Sequence, residues 1–255
     1  MIHYDCTGPE GGEVLLLSSG LGGSGAYWTA NIPALARRYR VVTYDQRGTG
    51  RSPAALAAPY AISDMAEDAL EVLDAVGARS CRFIGHALGG LVGLAVAARS
   101  PDLVSHLVVV NGWMRADPHT VRCFDVRRAL LRHAGIRPYL RAQPLFLYPS
   151  AWMAANADRL TADEVHAAAH FPGVANTLLR IEALLGFDAM PLLPALTCRT
   201  LVVVSHDDLL VPPVCSERLA AALPGTASAR LDGGHACNIT APDAFDALCL
   251  DFLVS

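Results

Sequence analysis

Short, continuously apolar runs recur along the chain and alternate with segments of helical periodicity. Runs of this kind, rich in valine and leucine, occupy residues 14–18, 41–45, 81–84, 107–110 and 201–205. A strand reads as an unbroken apolar run when helices cover both faces of its sheet, as they do in parallel sheets. The pattern therefore predicts a mostly parallel sheet that is buried on both faces.

Helical patterns fill the intervals between these runs. The clearest are residues 63–76, which open on Ser63 or Asp64 as a candidate N-cap, residues 88–99 and residues 242–253. Helices that regularly separate buried strands indicate an α/β fold with an open, doubly wound sheet.

Residues 113–196 break this alternation. They contain no convincing strand, and prolines repeatedly interrupt their helical patterns. We expect a helical cap inserted between core strands, so that residues 1–112 and 197–255 form the α/β core. Ligands of open α/β sheets bind at the carboxyl ends of the strands. A cap over these ends would wall the pocket and select the substrate.

Composition narrows the class of protein. Hydrophobic residues make up 53% of the chain, and the net charge of -4 argues against a nucleic-acid partner. Seven cysteines are scattered without CxxC spacing, as expected of reduced thiols in the cytosol. With no signal-peptide pattern and no apolar run of about 18–20 residues, we expect a soluble, cytoplasmic protein that does not enter a membrane. The oligomeric state, a homodimer included, is left open.

Residues 85–89, Gly-His-Ala-Leu-Gly, follow a predicted strand and open a predicted helix. This is the frame of a nucleophile elbow, G-x-S-x-G, in which the central serine attacks the substrate. Ala87 stands where the serine is expected, and its methyl group has no nucleophilic atom. Gly85 and Gly89 are expected where strand and helix pack closely against the turn.

A glycine-rich loop, residues 18–24, follows the first apolar run. Beside an elbow of this type, such a loop supplies one backbone N–H of an oxyanion hole, and the residue after the elbow supplies the other. Position assigns these donors to Leu21 and Leu88, and neither depends on the missing serine. A flexible turn is the alternative, whereas a phosphate-binding loop would need a Gly-Lys-Ser/Thr sequence that is absent here.

An acid and a histidine follow in the chain order of elbow, acid, histidine. The acid comes from residues 205–212, where we favour Asp208 over Asp207, which we interpret as a solvated neighbour. His235 follows a glycine pair after the presumed last strand. A carboxylate in this position orients the imidazole and stabilises its protonated form.

Other polar and aromatic residues have less specific signals. Asp45 is interpreted as structural, tied to an arginine within its own loop. Aromatic and basic residues near the loop and the cap entrance are candidate substrate contacts, although core or surface positions explain them equally well: Tyr27, Trp28, Trp113 and Arg115. No metal-ligand cluster and no dinucleotide fingerprint is present, so we expect a small-molecule substrate and no cofactor.

Taken together, SGLGG, DQRGTGRS, GHALGG, SHDDLLVP and GGHACN resemble the α/β-hydrolase superfamily over the whole core. Further matches in the cap, RCFDVR and QPLFLYPSAWMA, make the chain similar to the aminoacrylate or carbamate hydrolases of the Rut pyrimidine-utilisation pathway. The resemblance implies that alanine at position 87 is the family's own residue. It also implies a labile substrate from uracil degradation.

The sequence-based hypothesis is direct hydrolysis without a covalent intermediate. His235, oriented by Asp208, would activate a water beside Ala87, and the N–H groups of Leu21 and Leu88 would stabilise the developing negative charge. Two alternatives remain open: a non-catalytic small-molecule-binding protein, and an esterase inactivated by a Ser→Ala substitution at residue 87.

Overall fold

The computed structural model describes residues 1–223 and 225–254. Its centre is a seven-stranded sheet in the order β1-β3-β2-β4-β5-β6-β7. All neighbouring strands pair in parallel except β1, which is antiparallel to β3. The strands are β1 Tyr4–Thr7, β2 Val14–Ser18, β3 Arg40–Tyr44, β4 Cys81–His86, β5 Val104–Val110, β6 Arg199–Ser205 and β7 Ala227–Leu231. The predicted α/β fold with a mostly parallel sheet is confirmed.

Helices cover both faces of this sheet. The α-helices of the described residues are α1 Ile32–Leu35, α2 Ile62–Ala75, α3 Leu88–Arg99, α4 Pro118–Ala129, α5 Ile136–Leu147, α6 Ser150–Ala155, α7 Ala157–Ala169, α8 Val174–Leu185, α9 Pro213–Ala222, α10 Cys237–Thr240 and α11 Pro242–Val254. Successive strand residues point to opposite faces. Leu16 thus packs in the cluster that contains residues of α2, α3 and α9. Leu15 and Leu17 pack in the cluster that contains residues of α1 and α11.

The apolar runs identified the buried strands but not the edge strand β1. Tyr4–Thr7 pairs only with β3 and is mostly exposed, so it carries no apolar run. Strand β3 ends at Tyr44, and Asp45 therefore belongs to the following loop. Strand β5 begins at Val104, because the partly exposed Ser105 and His106 extend it before its apolar run.

The interval between β5 and β6 contains the helices α4 to α8, which we call the cap helices. They hydrogen-bond to the loops that follow the parallel strands. Asn176 of α8 donates to the carbonyls of Gly48 and Ala54 in the loop after β3. The Leu147 carbonyl at the end of α5 accepts from the N–H of Ala236 in the loop after β7. The cap helices therefore contact the carboxyl-terminal edge of the sheet.

Within the described residues, no helix combines the length and apolar character needed to cross a lipid bilayer.

Candidate active site

The turn between β4 and α3 has the strained backbone of a nucleophile elbow. Ala87 has φ 48° and ψ -113°, in a region that non-glycine residues rarely adopt. The flanking glycines are required by close approach. A Cβ at Gly85 would lie 2.2 Å from the carbonyl oxygen of Gly89, and one at Gly89 would lie 2.1 Å from that of Ser18. The elbow has therefore kept its geometry although the side chain at its apex is a methyl group.

His235 and Asp208 form a buried hydrogen-bonded pair. The Nδ1 of His235 lies 2.7 Å from Oδ2 of Asp208, and the two side chains are 2% and 1% exposed. The second carboxylate oxygen accepts from the backbone N–H groups of Leu210 at 2.8 Å and Val211 at 2.9 Å. Because a carboxylate oxygen accepts, Nδ1 carries the hydrogen, and Nε2 is left as the basic nitrogen. No described residue forms a hydrogen bond with that Nε2.

Asp207 has a structural role that its sequence position did not reveal. Its Oδ1 accepts from the N–H of Gly233 at 3.0 Å and of Gly234 at 2.8 Å. Both glycines have positive φ, 130° and 71°, so their backbone conformations are accessible mainly to glycine. Asp207 is exposed, as expected of a solvated neighbour, and it also anchors the loop that carries His235.

Asn111, at the end of β5, also holds this loop, and sequence reasoning missed it. Its Nδ2 donates to the His235 carbonyl at 2.8 Å and to Oγ of Ser205 at 2.9 Å, while its Oδ1 accepts from the Ser205 N–H at 2.8 Å. Asn111 has φ 50°, a left-handed conformation that asparagine tolerates better than most residues. The available signal was an Asn-Gly pair directly after a buried strand.

His86, the second residue of the elbow sequence, packs between two rings of the site. Its ring centroid lies 4.7 Å from that of His235 and 5.0 Å from that of Tyr27. Nε2 of His86 donates to the His235 carbonyl at 2.8 Å. Burial, reinforced by the neighbouring His235, lowers the pKa of His86 to about 3, so this imidazole is neutral. His86 therefore supports the catalytic candidate as an uncharged donor.

The two proposed oxyanion donors lie on adjoining segments. Leu88 begins α3, where the first N–H groups have no partner within the helix and the helix dipole is positive. Leu21 lies in the loop after β2, and the elbow touches this loop at Ser18 and Gly20. Neither the Leu21 N–H nor the Leu88 N–H donates to a described residue.

The four candidate substrate contacts occupy different environments. Tyr27 lies beside the site, where its hydroxyl donates to Oδ1 of Asn238 at 2.8 Å. Trp28 is fully buried and packs near Phe245 of α11, and Trp113 is 2% exposed within the opposite core cluster. Arg115 is 66% exposed and pairs with Asp188 at 2.5 Å. The burial of the two tryptophans favours a role in core packing over substrate contact. The exposure of Arg115 favours a surface position over substrate contact.

Asp45 has the structural environment that was expected of it, and the arginine that binds it is Arg51. Its carboxylate accepts from the Gly25 N–H at 2.7 Å and from the backbone N–H and Nε of Arg51, both at 2.9 Å. Burial acts to raise the pKa of Asp45, but the hydrogen bonds from Arg51 and Gly25 outweigh it and lower that pKa. Arg47 reaches outside the loop to Asp68.

Other nucleophiles near the site are not activated. Burial raises the pKa of the Cys237 thiol to about 11, which leaves it protonated near neutral pH. All seven cysteines are free thiols. In residues 1–223 and 225–254, no group of three or more His, Cys, Asp or Glu side chains is arranged to hold a metal ion.

Comparison with known proteins identifies the fold and the family of the chain. A family model described as the alpha/beta hydrolase fold matches residues 13–242. The chain is 53% identical to the "Putative carbamate hydrolase RutD" of Variovorax paradoxus (strain S110), over 99% of this chain and 96% of that protein. It is 48% identical to the protein of the same name from Stutzerimonas stutzeri (strain A1501), over the same shares of both chains. In structure it is similar to the enol-lactonase from Burkholderia xenovorans LB400, with a TM-score of 0.90 and 27% identity over 100% of this chain and 96% of the other. The chain therefore belongs to the α/β-hydrolase family and, within it, to the family of the RutD proteins.

Proposed function

We propose that the protein hydrolyses a C–N bond in a small, intrinsically labile product of uracil degradation, either carbamate or aminoacrylate. The observation that carries this proposal is an intact, buried His235–Asp208 pair that packs against His86 of an elbow whose apex is Ala87. The name of the full-length relatives supports a carbamate substrate. The attacking oxygen comes from water, because the apex side chain has none to offer.

Each group has a defined role in this reaction. Nε2 of His235 removes a proton from a water that attacks carbon beside the Ala87 methyl group. Asp208 accepts the hydrogen bond from Nδ1 and stabilises the imidazolium that results. The N–H groups of Leu21 and Leu88 donate to the oxygen on which negative charge develops. His235 then returns the proton to the departing nitrogen.

The overall reaction balances without any other reactant. With carbamate, water adds to the carboxyl carbon, the C–N bond breaks, and bicarbonate and ammonia are released. With aminoacrylate, water replaces the C–N bond by a C=O bond, and ammonia and an aldehyde are released. Because the enamine carbon must also gain a proton, His235 has an additional acid role with this substrate.

A labile substrate suits the modest catalytic power of such a site. Serine hydrolases that lose a triad residue retain about 10³–10⁴-fold acceleration over water from the oxyanion hole and binding. That corresponds to about 4–5.5 kcal/mol of barrier. A well-placed general base contributes about 10²–10⁴-fold. Such factors are too small for a stable amide but useful for a compound that already decays spontaneously.

The test compares the decay of carbamate and of aminoacrylate, generated in situ, with and without protein. Released ammonia and the loss of aminoacrylate absorbance report the two reactions. We expect a saturable acceleration of at least one substrate. Saturable binding without acceleration of either decay would instead show a small-molecule receptor and would overturn the proposal.

A further inference from the structure

A buried arginine of the cap lies against the proposed oxyanion loop. Arg180 belongs to α8 and has no exposed surface. Its Nε donates to the Leu21 carbonyl at 3.1 Å, and its Nη2 donates to Oε1 of Gln46. Neither contact is part of the mechanism described above. Arg180 therefore joins a cap helix to the residue whose N–H is the first proposed donor.

The same arginine organises the rest of the donor loop through Gln46. Nε2 of Gln46 donates to the Ser19 carbonyl at 2.8 Å, and the Gln46 N–H donates to the Gly23 carbonyl, also at 2.8 Å. Gly23 has φ 74°, and a Cβ there would lie 3.0 Å from Nη2 of Arg180. The donor loop thus has a glycine at the point where the guanidinium of Arg180 approaches it. Arg180 and Gln46, which lie outside this loop, donate hydrogen bonds to its carbonyl groups.

The charge of Arg180 has no carboxylate partner. Among the described residues, no Asp or Glu oxygen lies within 4 Å of its guanidinium, although other arginines of the chain form such pairs. Burial raises the pKa of the nearby Tyr44 and Tyr60, so these phenols supply no negative charge to pair with it. Its Nη1 is buried without a partner at normal hydrogen-bond distance, while the Tyr60 hydroxyl lies close enough to interact with the guanidinium.

A buried cation without a counter-ion is costly, so a compensating anion close by is favourable. The carbonyl that binds Arg180 and the proposed N–H donor belong to the same residue, Leu21, and only its Cα separates the carbonyl carbon from the nitrogen. The positive charge therefore acts on whatever occupies the oxyanion site through a protein interior of low dielectric constant.

We propose that Arg180 is a positioning residue that fixes the donor loop and makes the site selective for anionic substrates. The inference rests on the proposed function, since it assigns the charge of the substrate at the same site. Arg180 would thus be a determinant of substrate selectivity that lies outside the His–Asp pair and the donor N–H groups. It belongs to a cap helix and acts on the substrate through Leu21.

The test uses two unreactive ligands of the same shape, acetate and acetamide, which differ in charge. Ligand-observed NMR gives both dissociation constants without any catalytic step. We expect wild-type protein to bind acetate at least ten times more tightly than acetamide. Arg180→Met should bring that ratio close to one with little change for acetamide, whereas Arg180→Lys should keep part of the preference.

Arg132→Met, at a half-exposed arginine near Glu182, is the matched control and should keep the wild-type ratio.

A second variant tests the charge without removing the arginine. Gln46→Glu places a carboxylate against the guanidinium, and we expect it to abolish the preference for acetate while the protein remains folded. A wild-type ratio near one, or an unchanged ratio in either Arg180→Met or Gln46→Glu, would overturn the inference. These outcomes do not depend on hydrolysis, so they are distinguishable from a failure of the proposed function.

Discussion

At the scale of single residues, the central feature is a strained turn that has kept its shape without a nucleophile. A non-glycine residue in a disfavoured backbone region costs about 1–3 kcal/mol, and such strain persists only where the surroundings enforce it. Ala87 is held there by its N–H bond to the Val110 carbonyl and by the close packing of Gly85 and Gly89. The elbow still places the Leu88 N–H at the start of α3 without a described acceptor, and the proposed serine-free reaction uses this donor.

Ala87→Ser distinguishes a natural serine-free site from a disabled esterase. A site selected for direct attack by water has no acyl pocket matched to an ester, so we expect less than about tenfold gain on a nitrophenyl ester. Loss of the serine from a working serine hydrolase costs about 10⁶-fold in rate. A gain of several orders of magnitude would therefore identify residue 87 as the position of a lost nucleophile. Intact-mass analysis should show no acyl adduct on the wild-type chain.

His86 makes the stability of the fold depend on pH. Its pKa is about 3 in the folded protein because burial disfavours the charged form, whereas an unfolded histidine titrates near 6.5. Between these values the unfolded chain binds the extra proton, so stability falls as pH falls, by up to about 1.4 kcal/mol per pH unit. This contribution is fully present above about pH 6.5.

We expect His86→Gln to flatten this dependence, since an amide can donate to the His235 carbonyl without titrating. Urea unfolding at pH 7 and pH 4.5 measures the difference. Asp246, whose pKa burial raises to about 6, contributes with the opposite sign, but equally in both proteins. His206→Gln, at an exposed side chain, serves as the control and should behave as wild type. Equal slopes for wild type and His86→Gln would contradict the assignment.

At the scale of elements, the sequence predicts strands that carry a repeated apolar pattern. It misses features that depend on contacts between residues far apart in the chain. The unbroken apolar runs located β2, β4 and β6, because burial on both faces leaves a continuous signature. The exposed edge strand β1 has no such signature, since its place is set by pairing with β3. The elbow was recognisable because its glycines are required by local packing.

The support of the His235 loop was not predictable, because it comes from residues far apart in the chain. Asn111 and His86 both bind the His235 carbonyl, across separations of 124 and 149 residues. Asp207 was visible in sequence, but its bonds to Gly233 and Gly234 depend on how β6 and β7 lie side by side. Arg180 lies in a helical segment, and no local sequence pattern indicates that its side chain is buried against the donor loop.

Asn111 should therefore couple strand β5 to the reactivity of His235. Asn111→Gly tolerates the positive φ but removes the side-chain bonds to Ser205 and to the His235 carbonyl. We expect a loss of about 1–3 kcal/mol in unfolding free energy, the usual cost of leaving buried polar groups unpaired. We also expect a lower catalysed decay rate, because the imidazole is less firmly placed. Urea unfolding and the decay assay measure the two effects, and an unchanged decay rate in the destabilised variant would contradict a positioning role.

At the scale of the whole molecule, the site is assembled where the cap helices meet the carboxyl edge of the sheet. The segments after β4, β6 and β7 carry Ala87, Asp208 and His235, while α8 places Arg180 against the donor loop. The end of α5 binds the loop of His235 through the Leu147 carbonyl. The proposed mechanism requires this arrangement as a unit, since the His–Asp pair, the donor N–H groups and the buried charge come from different parts of the chain.

The most direct test of the account is the catalysed decay rate of carbamate and aminoacrylate with His235→Ala protein. The matched control is His206→Ala, which removes an exposed imidazole after β6. We expect His235→Ala protein, folded as judged by circular dichroism, to leave decay at the spontaneous rate or within a few-fold of it, while His206→Ala retains wild-type acceleration. A folded His235→Ala protein that accelerates decay as wild type does would contradict the claim that this imidazole activates water.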